Sequence, residues 1–110
     1  MAVYLIAQVK VTDDAWIPDY AAKVHDIAAK HGGEYLSRSA NITPLEGDAP
    51  DADVVALIEF PSVDAAQAFA ADPEYAPFAK ARQDGTVSSL FVVDDTDATG
   101  GIPYLPSGAT

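Results

Sequence analysis

The sequence predicts an α+β domain whose elements run strand, helix, strand, strand, helix, strand. Three observations predict it. Short runs rich in β-branched and apolar residues cover 3–11, 54–60 and 86–94, each too short to be a buried helix. Between them lie stretches with apolar residues at helical spacing or with many alanines. Breakers separate the runs: Gly32-Gly33, the 47–53 turn, Pro61 and Asp72-Pro73.

The first strand covers 3–11, and Thr12-Asp13-Asp14 offers capping side chains after it. Pro18 suits the first turn of a helix, where a missing N–H costs little. From there Ile17, Tyr20, Ala21, Val24, Ile27 and Ala28 form an apolar stripe, and Gly32-Gly33 supplies the left-handed geometry of a helix end. A second strand is expected from Glu34 through Arg38, resuming over 42–45 after a break. The 47–53 turn leads to the clearest strand, 54–60. Ser62 and Asp64 open an alanine-rich helix reaching about Ala71. Asp72-Pro73 caps a further turn, a short helix is expected over 78–83, and the last strand is 86–94. Domain 1–94 is followed by a tail, 95–110, rich in Gly and Pro. This order is the ferredoxin-like β-α-β-β-α-β arrangement: a four-stranded antiparallel sheet with two helices on one face.

Composition bounds the function. At 110 residues and 49% apolar, the chain suits one globular domain. Six basic against seventeen acidic residues give a formal charge of −11, a field that repels phosphate backbones and anionic lipids. No nucleic-acid or membrane partner is expected, and the apolar N-terminal run lacks the charge pattern of a leader. The absence of cysteine excludes thiolate chemistry and disulfides and fits a cytoplasmic setting. No metal is expected. Asp95-x-Asp97-x-Thr99-Gly100 mimics half a calcium loop, but its twelfth position falls on Pro106, and His25 and His31 are six apart. No cofactor is expected either, since no haem motif, phosphate-cradling loop or nucleophile elbow is present.

The strands predict a partner. Half-exposed strands alternate apolar with polar, and three of these do not. Val3, Leu5, Ala7 and Val9 oppose Tyr4 and Ile6; Val54, Ala56, Ile58 and Phe60 oppose Val55 and Leu57; Leu90 and Val92 oppose Val87, Phe91 and Val93. Two helices cover one face, so a second copy is expected on the other, giving a homodimer. The alternative cover is the tail, with Ile102, Tyr104 and Leu105.

Five segments occur in order: Tyr4-Leu5-Ile6-Ala7, Gly32-Gly33-Glu34-Tyr35-Leu36-Ser37-Arg38, Leu45-Glu46-Gly47-Asp48, Leu57-Ile58-Glu59-Phe60-Pro61-Ser62 and Asp72-Pro73-Glu74-Tyr75. Together they make the chain resemble the family named domain of unknown function 1330, over roughly residues 3–94. The resemblance implies a dimeric α+β barrel, in a superfamily that includes cofactor-free monooxygenases, muconolactone-isomerase-like proteins and haem enzymes. It carries over no catalytic residue, and Ser39-Ala40 departs from a stretch that is glycine-rich in relatives.

Candidate site residues follow from the residues themselves. Arg38 and Glu59, on neighbouring strands, are expected to meet near a cleft, the guanidinium binding a carboxylate and Glu59 orienting it or acting as base. The plainer alternative is a structural ion pair. His25, at the edge of the first helix's apolar stripe, is a second candidate base, although Asp26, about 100° round the helix, is poorly placed to orient it. Tyr4, Trp16, Tyr20 and Tyr35, with Phe69, Tyr75 and Phe78, are expected to line an apolar pocket or to form core. Three functions compete: a small-molecule-binding dimer anchored by Arg38, a cofactor-independent isomerase or monooxygenase with His25 or Glu59 as base, and a purely structural dimer.

Overall fold

A computed structural model describes residues 2–96. The tail's Ile102, Tyr104 and Leu105, and the acidic stretch from Asp97 on, lie outside the described residues. The elements are β1 (Val3–Val11), α1 (Ile17–Lys30), β2 (Glu34–Ser39), β3 (Val54–Phe60), α2 (Val63–Ala70), α3 (Ala76–Gly85) and β4 (Thr86–Asp94). The four strands form one sheet in the order β2-β3-β1-β4, every neighbour antiparallel. The ferredoxin-like architecture is the one expected, with one elaboration. The second crossover carries two helices, α2 and α3, in place of one long and one short.

Local chemistry sets each boundary. Pro18 and Pro77 both fall in the first turns of α1 and α3, so Pro77 starts α3 early rather than delaying it to residue 78. Helix α1 ends as Gly32 turns left-handed (φ +80°) and the N–H of Gly33 reaches back to the Ala28 carbonyl at 2.8 Å. The Ser62 hydroxyl accepts from the Ala65 N–H at 3.0 Å and caps α2. The Asp72 carboxylate accepts from the Glu74 N–H at 2.8 Å and closes the turn that leads into α3. Strand β2 stops at Ser39, and the expected continuation over 42–45 has no ladder to join.

The helices share one face of the sheet. Val3, Leu5, Ala7 and Val9 of β1 with Ala56, Ile58 and Phe60 of β3 pack there against Val24, Ile27 and Ala28 of α1, Ala66 and Phe69 of α2, and Tyr75. Phe60 and Phe69 are buried completely or nearly so, each stabilising the fold by about 1.5–3 kcal/mol. On the opposite face no helix packs among the described residues. Val87, Phe91 and Val93 are 69%, 43% and 44% exposed, and Tyr4, Ile6, Val55 and Leu57 are half-buried beside them. Both faces are apolar, as the strand pattern predicts.

Candidate functional site

A cavity of about 220 Å³ lies between the helices and the sheet. The register of the strands explains it. Val3 stands opposite Phe60 and Leu5 opposite Ile58, filling one end of the layer. The next inward pair is Ala7 opposite Ala56, and Leu90 flanks Ala7 from β4. Two methyl groups side by side leave space that larger side chains would take up. Ile17 and Tyr20 of α1, with Phe69, Tyr75 and the Trp16 ring, close it from the helix side.

Polar groups enter this apolar space from three directions. Tyr20 and Tyr75 share a hydrogen bond of 2.8 Å between their hydroxyls. Burial, then the neighbouring Tyr75, pushes Tyr20 far above the usual phenol range, so it stays a neutral donor. From β2 come Tyr35 and Arg38, the guanidinium 4.6 Å from the centre of the Tyr35 ring. Burial pushes the Tyr35 phenol up to about 12, against an opposing pull from Arg38. From α3 comes Arg82, only 6% exposed.

Arg82 is held by a small hydroxyl network. Its Nη1 donates to the Ser88 hydroxyl at 2.6 Å, and the Thr86 hydroxyl donates to the Arg82 carbonyl at 2.6 Å. A third contact of 3.1 Å joins the two hydroxyls. With the Thr86 proton committed to the carbonyl, Ser88 is the better donor in that contact, which frees its oxygen to receive Arg82. Among the described residues the Arg82 Nε–H is nevertheless buried without a partner, as is the Trp16 Nε1–H. Among the described residues neither Arg38 nor Arg82 forms an ion pair. These are the only two arginines in the chain, and both border one cavity whose lining includes no Asp, Glu or His. The arrangement offers donors and positive charge inside an apolar shell, and no base.

Of the residues singled out in the sequence, Trp16, Tyr20, Tyr35 and Arg38 come together here, with Phe69 and Tyr75. The others do not. Glu59 pairs across the sheet with Tyr4 and Glu34, and these three lie on the face away from the helices. The expected meeting of Arg38 with Glu59 fails for a specific reason. Leu36 is an extra residue: Tyr35 stands opposite Ile58 and Ser37 opposite Leu57, which breaks the alternation. An unbroken β2 would put Glu34, Leu36 and Arg38 on the side of Glu59. The bulge puts Arg38 opposite Ala56, on the helix side.

His25, the second candidate base, is exposed on α1 and does not border the cavity. Its Nε2 does approach the Asp26 carboxylate at 3.4 Å, closer than the angle between adjacent helical residues implies. Phe78 borders a shallow groove beside Lys23 and Lys30 instead of the cavity. Glu46 is exposed in a turn where Gly47 takes φ +69°. Arg82 was missed. Its signal was available, since Tyr75, Ala79 and Arg82 fall at helical spacing and put an arginine on a buried stripe.

The chain matches the family model described as domain of unknown function, DUF1330, over residues 2–96. No curated protein matches it. Among solved structures it is similar to RPA0582, a protein of unknown function from Rhodopseudomonas palustris. That match has 20% identity and a TM-score of 0.71, covering 87% of this chain and 83% of the other. SnoaB, a cofactor-independent oxygenase from Streptomyces nogalater, is similar at 16% identity and a TM-score of 0.61, with 87% and 94% covered. An antibiotic biosynthesis monooxygenase is similar at 14% identity and a TM-score of 0.56, with 86% and 99% covered. At such identities the likeness is one of fold.

Proposed function

This chain belongs to the DUF1330 family, whose description names no chemistry, and from its cavity we propose that it binds a small, largely apolar organic acid. One observation carries the reading: both arginines border an apolar cavity that contains no acid to neutralise them. A buried guanidinium without a counter-charge is costly, and a ligand carboxylate offsets that cost through charge-assisted hydrogen bonds. The cavity's size sets the ligand's. A dry cavity of ~150 Å³ takes benzene, so about 220 Å³ suits one ring with a carboxylate.

Benzoate and other monocyclic aromatic carboxylates should therefore raise the unfolding temperature by several degrees at concentrations well above Kd. Arg38→Ala, at an exposed position, should leave the fold intact and weaken binding about tenfold or more. A panel of such acids that leaves the transition unmoved would refute the reading.

The same reading includes self-association through the helix-free face. Val87, Phe91, Val93, Ile6 and Leu57 form there an apolar surface of the kind that a two-fold partner covers. A cofactor-independent isomerase or oxygenase using His25 or Glu59 as base is disfavoured, because neither residue borders the cavity. A purely structural dimer leaves the unpartnered Arg82 Nε–H without a role.

A further inference from the structure

The cavity's polar groups are guanidiniums, phenols and the Trp16 indole, with no carboxylate, carboxamide or imidazole among them. From β2 it receives the Tyr35 phenol and the Arg38 guanidinium, from α1 the Tyr20 phenol, from the turn before α3 the Tyr75 phenol, and from α3 the Arg82 guanidinium. Strands β1, β3 and β4 contribute only aliphatic side chains, and Ser88, which accepts from Arg82, is not part of the lining. The guanidiniums carry N–H groups and no acceptor, and they hold their charge throughout the physiological range. Of the two phenol protons in the Tyr20–Tyr75 pair, one is spent between the rings and the other is free to point elsewhere.

A neutral ligand hydroxyl entering this space can pass its proton only to phenol oxygens and meets the guanidiniums as a neutral acceptor, a weaker pairing than the charge-assisted one that its anion makes. The anion of the same ligand has no proton to place and accepts from the guanidiniums and the free phenol protons. The apolar walls oppose any charge. Arg82, however, is already buried with its Nε–H unpartnered, so an arriving anion cancels a buried charge instead of adding one.

Resting on the ligand class proposed above, we infer that the cavity takes weak organic acids as their anions, so that a phenol or enol bound there ionises at a lower pH than in water. The bond that breaks is the ligand O–H. Its electron pair stays on oxygen, facing Arg82, Arg38 and the tyrosine pair, and its proton leaves to bulk water because no carboxylate or imidazole lines the cavity. The ligand class thus widens from carboxylates, already ionised in solution, to phenols and enols, whose O–H the site itself ionises.

A chromogenic phenol tests this with the full chain. 4-Nitrophenol is colourless when neutral and yellow as its anion, so its ionisation is read directly as protein is added. The expected result is a titration midpoint about one pH unit lower at saturating protein, a tenfold preference for the anion. Arg82→Gln should abolish the displacement. Since that buried site also supports the fold, Arg38→Gln, at an exposed position, provides an independent variant that should return the midpoint part of the way. A midpoint that stays put or rises at every protein concentration overturns the inference, as does an undiminished displacement in Arg38→Gln. Benzoate separates this failure from that of the parent reading. If benzoate raises the unfolding temperature while the nitrophenol midpoint does not move, selection of the anion falls and organic-acid binding stands; if neither responds, both fall.

Discussion

Asp72 connects two parts of the chain that the sequence keeps 41 residues apart. Its carboxylate accepts from His31 Nε2 at 2.7 Å and lies 3.1 Å from Lys30 Nζ, both at the end of α1, while its other oxygen accepts from the Glu74 N–H. It thereby fixes the turn that carries Tyr75 into the cavity. The hydrogen bond from His31, then those from Glu74 and Lys30, hold this carboxyl at about 2, well below the usual carboxylate range. A carboxyl depressed by folding stabilises the native state above about pH 4, and the contribution disappears as pH falls toward 2. Asp72→Asn should lower stability at neutral pH and flatten the loss of stability between about pH 4 and 2, measured by urea unfolding at a series of pH values. At this scale the sequence was half legible. Asp72 reads as a turn cap from its neighbour Pro73, because that interaction is local. Its pairing with His31 depends on how α1 meets the turn, which no short-range pattern encodes. Arg82 differs: its helical spacing from Tyr75 and Ala79 marks it as facing inward, but the cavity that it borders is visible only in the packed structure.

At the scale of elements, β3 and β4 could be read to the residue, since their hydrophobic runs end at Pro61 and begin after Gly85. Strand β2 could not. Its bulge at Leu36 rests on the pairing with β3, and a count of alternating residues carries Arg38 to the wrong side. That single irregularity separates the candidate site expected from the sequence, Arg38 with Glu59, from the one found, Arg38 with Tyr35 and Arg82. Strand β4 carries the exposed part of the helix-free face, with Phe91 43% exposed and opposite Ile6 of β1. Phe91→Asp should leave the circular dichroism spectrum unchanged, because the ring takes no part in the core, and should convert a dimer to a monomer in sedimentation at micromolar concentration. A wild-type chain that already sediments as a monomer would refute association through this face.

Over the whole molecule the charges oppose the site. The formal charge of −11 surrounds a cavity bordered by both arginines, so an anionic ligand is repelled at long range and attracted at contact. Salt weakens the first effect much more than the second, since the Debye length shrinks from about 30 Å at 10 mM to about 8 Å at 150 mM while buried groups are screened little. The association rate of benzoate, followed by stopped flow, should therefore rise with ionic strength over this range, with dissociation nearly constant. A rate that falls would mean that the arginines, and not the bulk charge, govern the approach. The fold at this scale was legible because it rests on hydrophobic periodicity and on breakers, which repeat along the chain. The cavity was not, because it arises where Ala7 and Ala56 happen to face each other across strands 49 residues apart. The sheet itself is a partition one backbone thick: on β3, Ala56 and Ile58 face the cavity while Val55 and Leu57 face the other way. Among the described residues nothing else stands between the cavity and the helix-free face, so a strand that shifts to admit a bulkier guest must redraw the contour of that outer surface.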